Sequence, residues 1–168
     1  MTAQDEDDRD PLLACLAYQR ASVLSIVKGL SEDNWHTAAV PSGWTPAGLV
    51  QHVGDVERHW FQSVVAGESA ELPSDEHRPP YDPEAAFVSD WPAADVVAYY
   101  REQCARSDAI LARMPLSAAP LGKHWNTHYE GETVRHIVLH VIEETACHAG
   151  HLDIARELLD GRVDLGLR

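Results

Sequence analysis

Residues 132–160 read ETVRHIVLHVIEETACHAGHLDIARELLD. Within them Val134, Ile137, Val138, Val141, Thr145, Leu152, Ala155 and Leu159 recur on one stripe at about 100° per residue, the period of an amphipathic α-helix. Gly161 follows as a C-terminal stop. Glu144 and His148 fall inside the apolar stripe, one turn apart on the same face. His140 and His151 lie at its edge, and His136 points away. A carboxylate on a face that must be buried is costly unless something cationic compensates it. This stretch therefore predicts a long helix and poses the question of what holds Glu144.

Three more helical segments lie upstream. Leu13, Leu16, Val23, Val27 and Leu30 set the stripe of a first helix from Pro11 to about Leu30, and the acids ahead of it suit a helix N-terminus. A second helix starts at Thr45 as cap with Pro46 in the first position, carries Leu49, Val53, Val56, Trp60 and Val64, and stops near Gly67. A third runs from about Ala93 to Met114, with Val97, Tyr100, Cys104, Ser107, Leu111 and Met114 inward, before Pro115 and Pro120 break the chain. No strand-like alternation competes. Four helices of roughly 20 to 28 residues make the expected fold class all-α, an antiparallel four-helix bundle. The expected organisation is an acidic leader over residues 1–10 and a single bundle domain over 11–168.

Residues 68–92 carry five prolines and cannot be a long helix; they read either as a lid or as a solvated linker with a short turn near Ala85, Ala86 and Phe87. Residues 122–131 form a polar, aromatic loop containing His124, Trp125, His128 and Tyr129.

Charge and cysteine usage narrow the function. With 27 acids against 13 bases the net charge is -14, which argues against nucleic acid and against an anionic membrane as partners. Cys15, Cys104 and Cys147 are odd in number and form no CxxC pair, so reduced thiols are expected. The acidic opening is unlike a signal peptide, and no apolar run is long enough to span a bilayer. The expected location is cytoplasmic.

On the second helix His52 falls one turn after Leu49 and one before Val56, toward the interior, while His59 is nearer the edge. Arg20 is the one cation on an inward face that could answer Glu144. A divalent metal answers it more fully, with Glu144 as anionic ligand and His52 and His148 as neutral imidazoles. Such a three-ligand set leaves coordination positions open, as catalytic sites do. Two plainer readings stand beside this one: His52 as a satisfied core histidine, and Glu144 with His148 as a buried hydrogen-bonded pair. The spacing is not HExxH, and no doubled ExxH pattern signals a two-iron bundle.

The segment Ser42–Pro46 with Leu49–Val53 and Glu57–Trp60 resembles the second helix of the DinB-like (DinB/YfiT-like) superfamily. His140–His151 resembles the fourth-helix signature of its actinobacterial mini-circle protein branch. The resemblance covers nearly all of the chain after the acidic leader. It implies a four-helix bundle with one divalent metal, zinc first and nickel or another transition metal as alternatives. It also implies kinship with the N-terminal domain of mycothiol-dependent maleylpyruvate isomerase and with thiol S-transferases. The isomerase's His, Glu and His ligands match His52, Glu144 and His148. Many superfamily members place His at the position of Glu144, and many carry Gln at that of His151. The isomerase's additional C-terminal domain has no counterpart here, which leaves its substrate open.

The expected function is a metal-dependent transferase or isomerase that uses a low-molecular-weight thiol, mycothiol-like, on a small electrophile. His151 and His140 are the candidate catalytic residues, as base or as orienters of the ligands. The alternative is a non-catalytic metal- or ligand-binding module, with a homodimer as the assembly it would act through. A third reading is an interaction protein with a hydrogen-bonded polar core.

Overall fold

In the computed structural model, residues 3–68, 86–123 and 132–163 are described, the side chains of 3–10 excepted. The elements are α1 (Ala3–Val27), α2 (Glu32–Trp35), α3 (Pro46–Glu57), a π-helical continuation of α3 (Arg58–Val65), α4 (Ala93–Leu111) and α5 (Val134–Asp160). No strand occurs among the described residues.

The local signals act as expected at α3 and α5. Thr45 Oγ1 accepts from Gly48 N at 3.1 Å, and Pro46 opens α3 without losing a donor. Thr133 and His136 form a reciprocal cap at the start of α5, and Gly161 ends it at φ +75°. Gly67, at φ +67°, follows the π segment.

Four features depart from expectation. First, α1 begins at Ala3 rather than Pro11, which lies inside it. The ring fits helical φ and forfeits one hydrogen bond, so this proline marks no boundary. Second, Ser31 caps the short helix α2, whose Trp35 is buried. Third, the helix after Glu57 widens into π geometry, with Ala66 N donating to Phe61 O. The extra residue per turn brings Phe61, Gln62 and Val65 inward beside Trp60 and Val64. Fourth, the buried row of α4 is Val96, Tyr99, Tyr100, Gln103, Ser107, Ile110 and Leu111. Val97, Cys104 and Met114 are only half-buried. Residues 124–131 of the expected 122–131 loop, and most of the 68–92 connection, lie outside the described residues.

Two apolar clusters divide the core lengthwise. One joins Leu16, Trp60, Phe61, Ile110, Val134, Ile137 and Val141. The other joins Val23, Ile26, Trp35, Leu49, Val53, Val96, Tyr100 and Leu152. Early residues of α1 and α5 thus share an end with late residues of α3 and α4. The bundle consists of a parallel pair α1/α5 packed antiparallel against a parallel pair α3/α4. Parallel neighbours cannot be joined by a short turn, so the connection between α3 and α4 must return the chain to the other end, which accounts for its length. Within that pair the helices approach closely at Gly54, where a Cβ would lie 2.8 Å from the Tyr99 ring.

Several polar groups in the core are paired. Glu57, fully buried, accepts from Arg20 Nε at 2.7 Å and Nη2 at 2.6 Å, and Arg20 Nη1 reaches Asp108 at 2.6 Å. Gln62 donates to Gln103 at 2.7 Å. Arg156 Nη1 donates to Ile26 O at 2.7 Å and Lys28 O at 3.1 Å, answering carbonyls at the end of α1. No helix among the described residues is long and apolar enough to cross a membrane.

Candidate metal centre

The site lies where α3 faces α5. The Thr45–Pro46 start sets the phase of α3, so that His52 follows Leu49 by three residues and turns toward α5 beside the buried Val53. On α5, buried Val141, Thr145 and Leu152 fix the inward face and carry Glu144 and His148 with it. One ligand atom from each of His52, Glu144 and His148 lies within 4.8 Å of the others. Glu144 Oε2 is 3.3 Å from His148 Nε2. The His52 and His148 rings meet edge to face at 4.9 Å. Among the described residues this is the one group of three His, Cys, Asp or Glu side chains gathered so closely.

Protonation in the site suits a cation. The His52 pKa is pushed down to about 4, first by burial and then by His148, against the opposing pull of Glu144. The Glu144 pKa is held below the usual carboxylate value, first by the hydrogen bond from His148, with burial opposing. The charges of His148, His140 and His52 add to the lowering. A neutral imidazole and an ionised carboxylate are the forms that bind a divalent ion.

Ligand atoms about 2.0–2.2 Å from a tetrahedral centre stand roughly 3.3–3.6 Å apart, and the Glu144–His148 pair, at 3.3 Å, has that spacing. His148, only 12 % exposed, has its Nδ1 buried with no hydrogen-bond partner. A histidine enclosed in this way, between a carboxylate and a second imidazole, is poorly explained as a satisfied core residue.

The remaining candidates take other places. His151 is exposed, with its ring 5.6 Å from His148 and 6.3 Å from Trp44. His140 packs against Trp60 at 4.7 Å, and His59 meets the same indole at 5.3 Å. His136 is exposed and serves the α5 cap, with Glu132 at 2.8 Å. Arg20 pairs with Glu57 and Asp108, so it is not the cation answering Glu144. An open concavity of about 240 Å³ along α5, lined by His136, His140, Glu132 and Glu143, contains none of the trio.

Phe87 was not singled out by sequence reading as a site residue, yet its ring stacks on His52 at 4.0 Å and 19°. The available signal was its type: one of only two phenylalanines, set at the end of a proline- and acid-rich stretch. Glu57 was also missed, because its place on an apolar stripe shows only once Arg20 is seen opposite. The protein's own thiols are poorly suited as nucleophiles in the core: burial, then the Glu57 charge, pushes Cys104 up to about 12, and Cys15 and Cys147 are exposed.

The family model described as mycothiol-S-transferase matches residues 11–161. A crystal structure of a conserved protein from Enterococcus faecalis superposes with a TM-score of 0.70 at 16% identity, covering 90% of this chain and 96% of that one, and shares the fold. No curated protein sequence matches the chain.

Proposed function

This chain belongs to the mycothiol-S-transferase family, and from that premise we propose that it is a metal-dependent transferase joining a small thiol of mycothiol type to a small electrophile. The observation that carries the reading is the gathering of one ligand atom each from His52, Glu144 and His148 within 4.8 Å of one another, with the His52 pKa pushed down by burial and the Glu144 pKa lowered by the hydrogen bond from His148.

His52, Glu144 and His148 would hold the ion, with zinc as the first candidate and nickel as the second. Bound there, it would supply Lewis-acid stabilisation of a thiolate. The chain's own groups do the rest. His151, exposed beside Trp44, would take the proton from the thiol. The sulfur's electron pair then forms the new bond to carbon, and the leaving group departs with the pair from the bond that breaks. His140, held against Trp60, contributes to the field that keeps Glu144 ionised. Phe87 covers one face of the His52 ring and shields it from water.

Elemental analysis of protein purified without a metal-affinity tag, followed by a thiol-consumption assay across an electrophile panel, tests this. About one divalent ion per chain and thiol-dependent product are expected. Metal content near zero, unchanged by incubation with zinc or nickel, refutes the centre. Tight thiol binding without turnover favours a binding module instead. Recovery of a rearranged electrophile with the thiol released unchanged reassigns the reaction as an isomerisation. Sedimentation of the same sample tests the homodimer.

A further inference from the structure

Residues 86–92 lead into α4 and pass over the start of α3. Phe87 in this strap touches two of the three candidate ligands: it stacks on His52 and stands edge-on to His148 at 6.0 Å and 90°. Among the described residues no hydrogen bond holds the His52 ring, so stacking is what orients it. An imidazole otherwise turns freely about a broad, roughly two-fold χ2. Groups behind metal ligands usually set that angle.

The strap is held at three points. Thr45 N, at the residue that caps α3, donates to Phe87 O at 2.9 Å. Gly48 leaves the strap room: a Cβ there would sit 2.1 Å from Phe87 O, with Phe87 C at 2.2 Å. That contact is with backbone, so the strap itself would have to shift. The third fastening is α2. Ser89 O accepts from His36 Nδ1 at 3.1 Å, and Glu32 Oε1 accepts from Ala93 N at 2.9 Å while facing His36 Nε2 at 3.2 Å. The helix that sequence reading overlooked thus ties down the segment that covers His52.

We propose that Phe87 is a positioning residue for the metal centre, holding the His52 imidazole in its ligating orientation, and that Gly48 and α2 register it there. The proposal rests on the metal-centre reading above. With the ring already fixed, binding an ion does not have to order it, and the saving appears as affinity.

The test uses the full chain in three forms: native, Phe87→Ala and Gly48→Ala. The second variant favours the α3 helix and sets its Cβ against the strap backbone at Phe87. In metal-free protein the His52 ring-proton resonances of the native form carry the upfield ring-current shift of a stacked phenyl, and both variants lose it. In cobalt(II) titrations both variants bind about tenfold more weakly than native, with an altered visible spectrum. Phe87→Tyr restores shift, spectrum and affinity. Affinities within twofold of native in both variants, with an unchanged spectrum, overturn the positioning role while the centre stands. His52 resonances that do not move between native and Phe87→Ala overturn it as well. A native chain that takes up no cobalt, yet shows the His52 shift, overturns the metal centre itself and the role assigned to Phe87 with it.

Discussion

Acidifying the metal-free protein should destabilise it through His52, and by an amount the structure sets. In the unfolded chain this histidine titrates near 6.5, whereas in the fold burial pushes it down to about 4. Between those values the unfolded state binds the proton and the folded state does not, so stability falls as pH drops from about 6.5 toward 4. Above pH 7.5 the residue contributes no slope. At pH 4.5 the difference amounts to about 2.5 kcal/mol, or roughly 5–10 °C in Tm for a chain of this length. His52→Gln removes the titration while keeping a polar side chain of similar size. Urea unfolding of native and variant at pH 7.5 and 4.5 reads the effect of His52 together with its coupling to His148 and Glu144, while more distant carboxylates and histidines are common to both. The native form is expected to lose about 2.5 kcal/mol more than the variant on acidification. Losses that agree within about 0.5 kcal/mol would mean that His52 is not enclosed as described, and the neutral-imidazole argument for the site would fail.

Ligand removal should separate the two faces of α5. His148→Ala abolishes metal uptake with helical circular dichroism unchanged, whereas His136→Ala leaves uptake intact; equal damage by both in a zinc-competition assay contradicts the face assignment. Arg20→Ala strands the fully buried Glu57 and should cost about 3–5 kcal/mol by chemical denaturation. Arg20→Met combined with Glu57→Leu should recover most of that loss, since the one charge left without its partner, Asp108, is exposed to solvent. In native protein at pH 7.5 two thiols, Cys15 and Cys147, should react rapidly with an aromatic disulfide, and Cys104 only on unfolding. Three fast equivalents would contradict the packing around α4.

Much of the candidate site was legible because helical periodicity is a local property. Once Val141, Thr145 and Leu152 set the face of α5, Glu144 and His148 had to share it, and Leu49 with Val56 did the same for His52. The Thr45–Pro46 and Gly161 signals placed helix ends for the same reason: capping is decided within a few residues. The reading fell short where that locality broke. The π turn after Glu57 added Phe61, Gln62 and Val65 to the inward face beside the expected Trp60 and Val64, and on α4 the paired aromatics Tyr99 and Tyr100 are both buried where a single stripe was read.

From its residues alone the chain declares an all-helical bundle, an acidic surface and a histidine–glutamate set on two inward faces, since spacing, composition and capping need no knowledge of neighbours. Tertiary structure alone decided that α3 and α4 run parallel, that Arg20 is spent on Glu57 rather than Glu144, and that Phe87 lies on His52. Those outcomes depend on contacts between segments distant in sequence, such as residues 20 with 57 and 52 with 87. Which partners meet is set by how whole helix faces pack, and no local spacing encodes it.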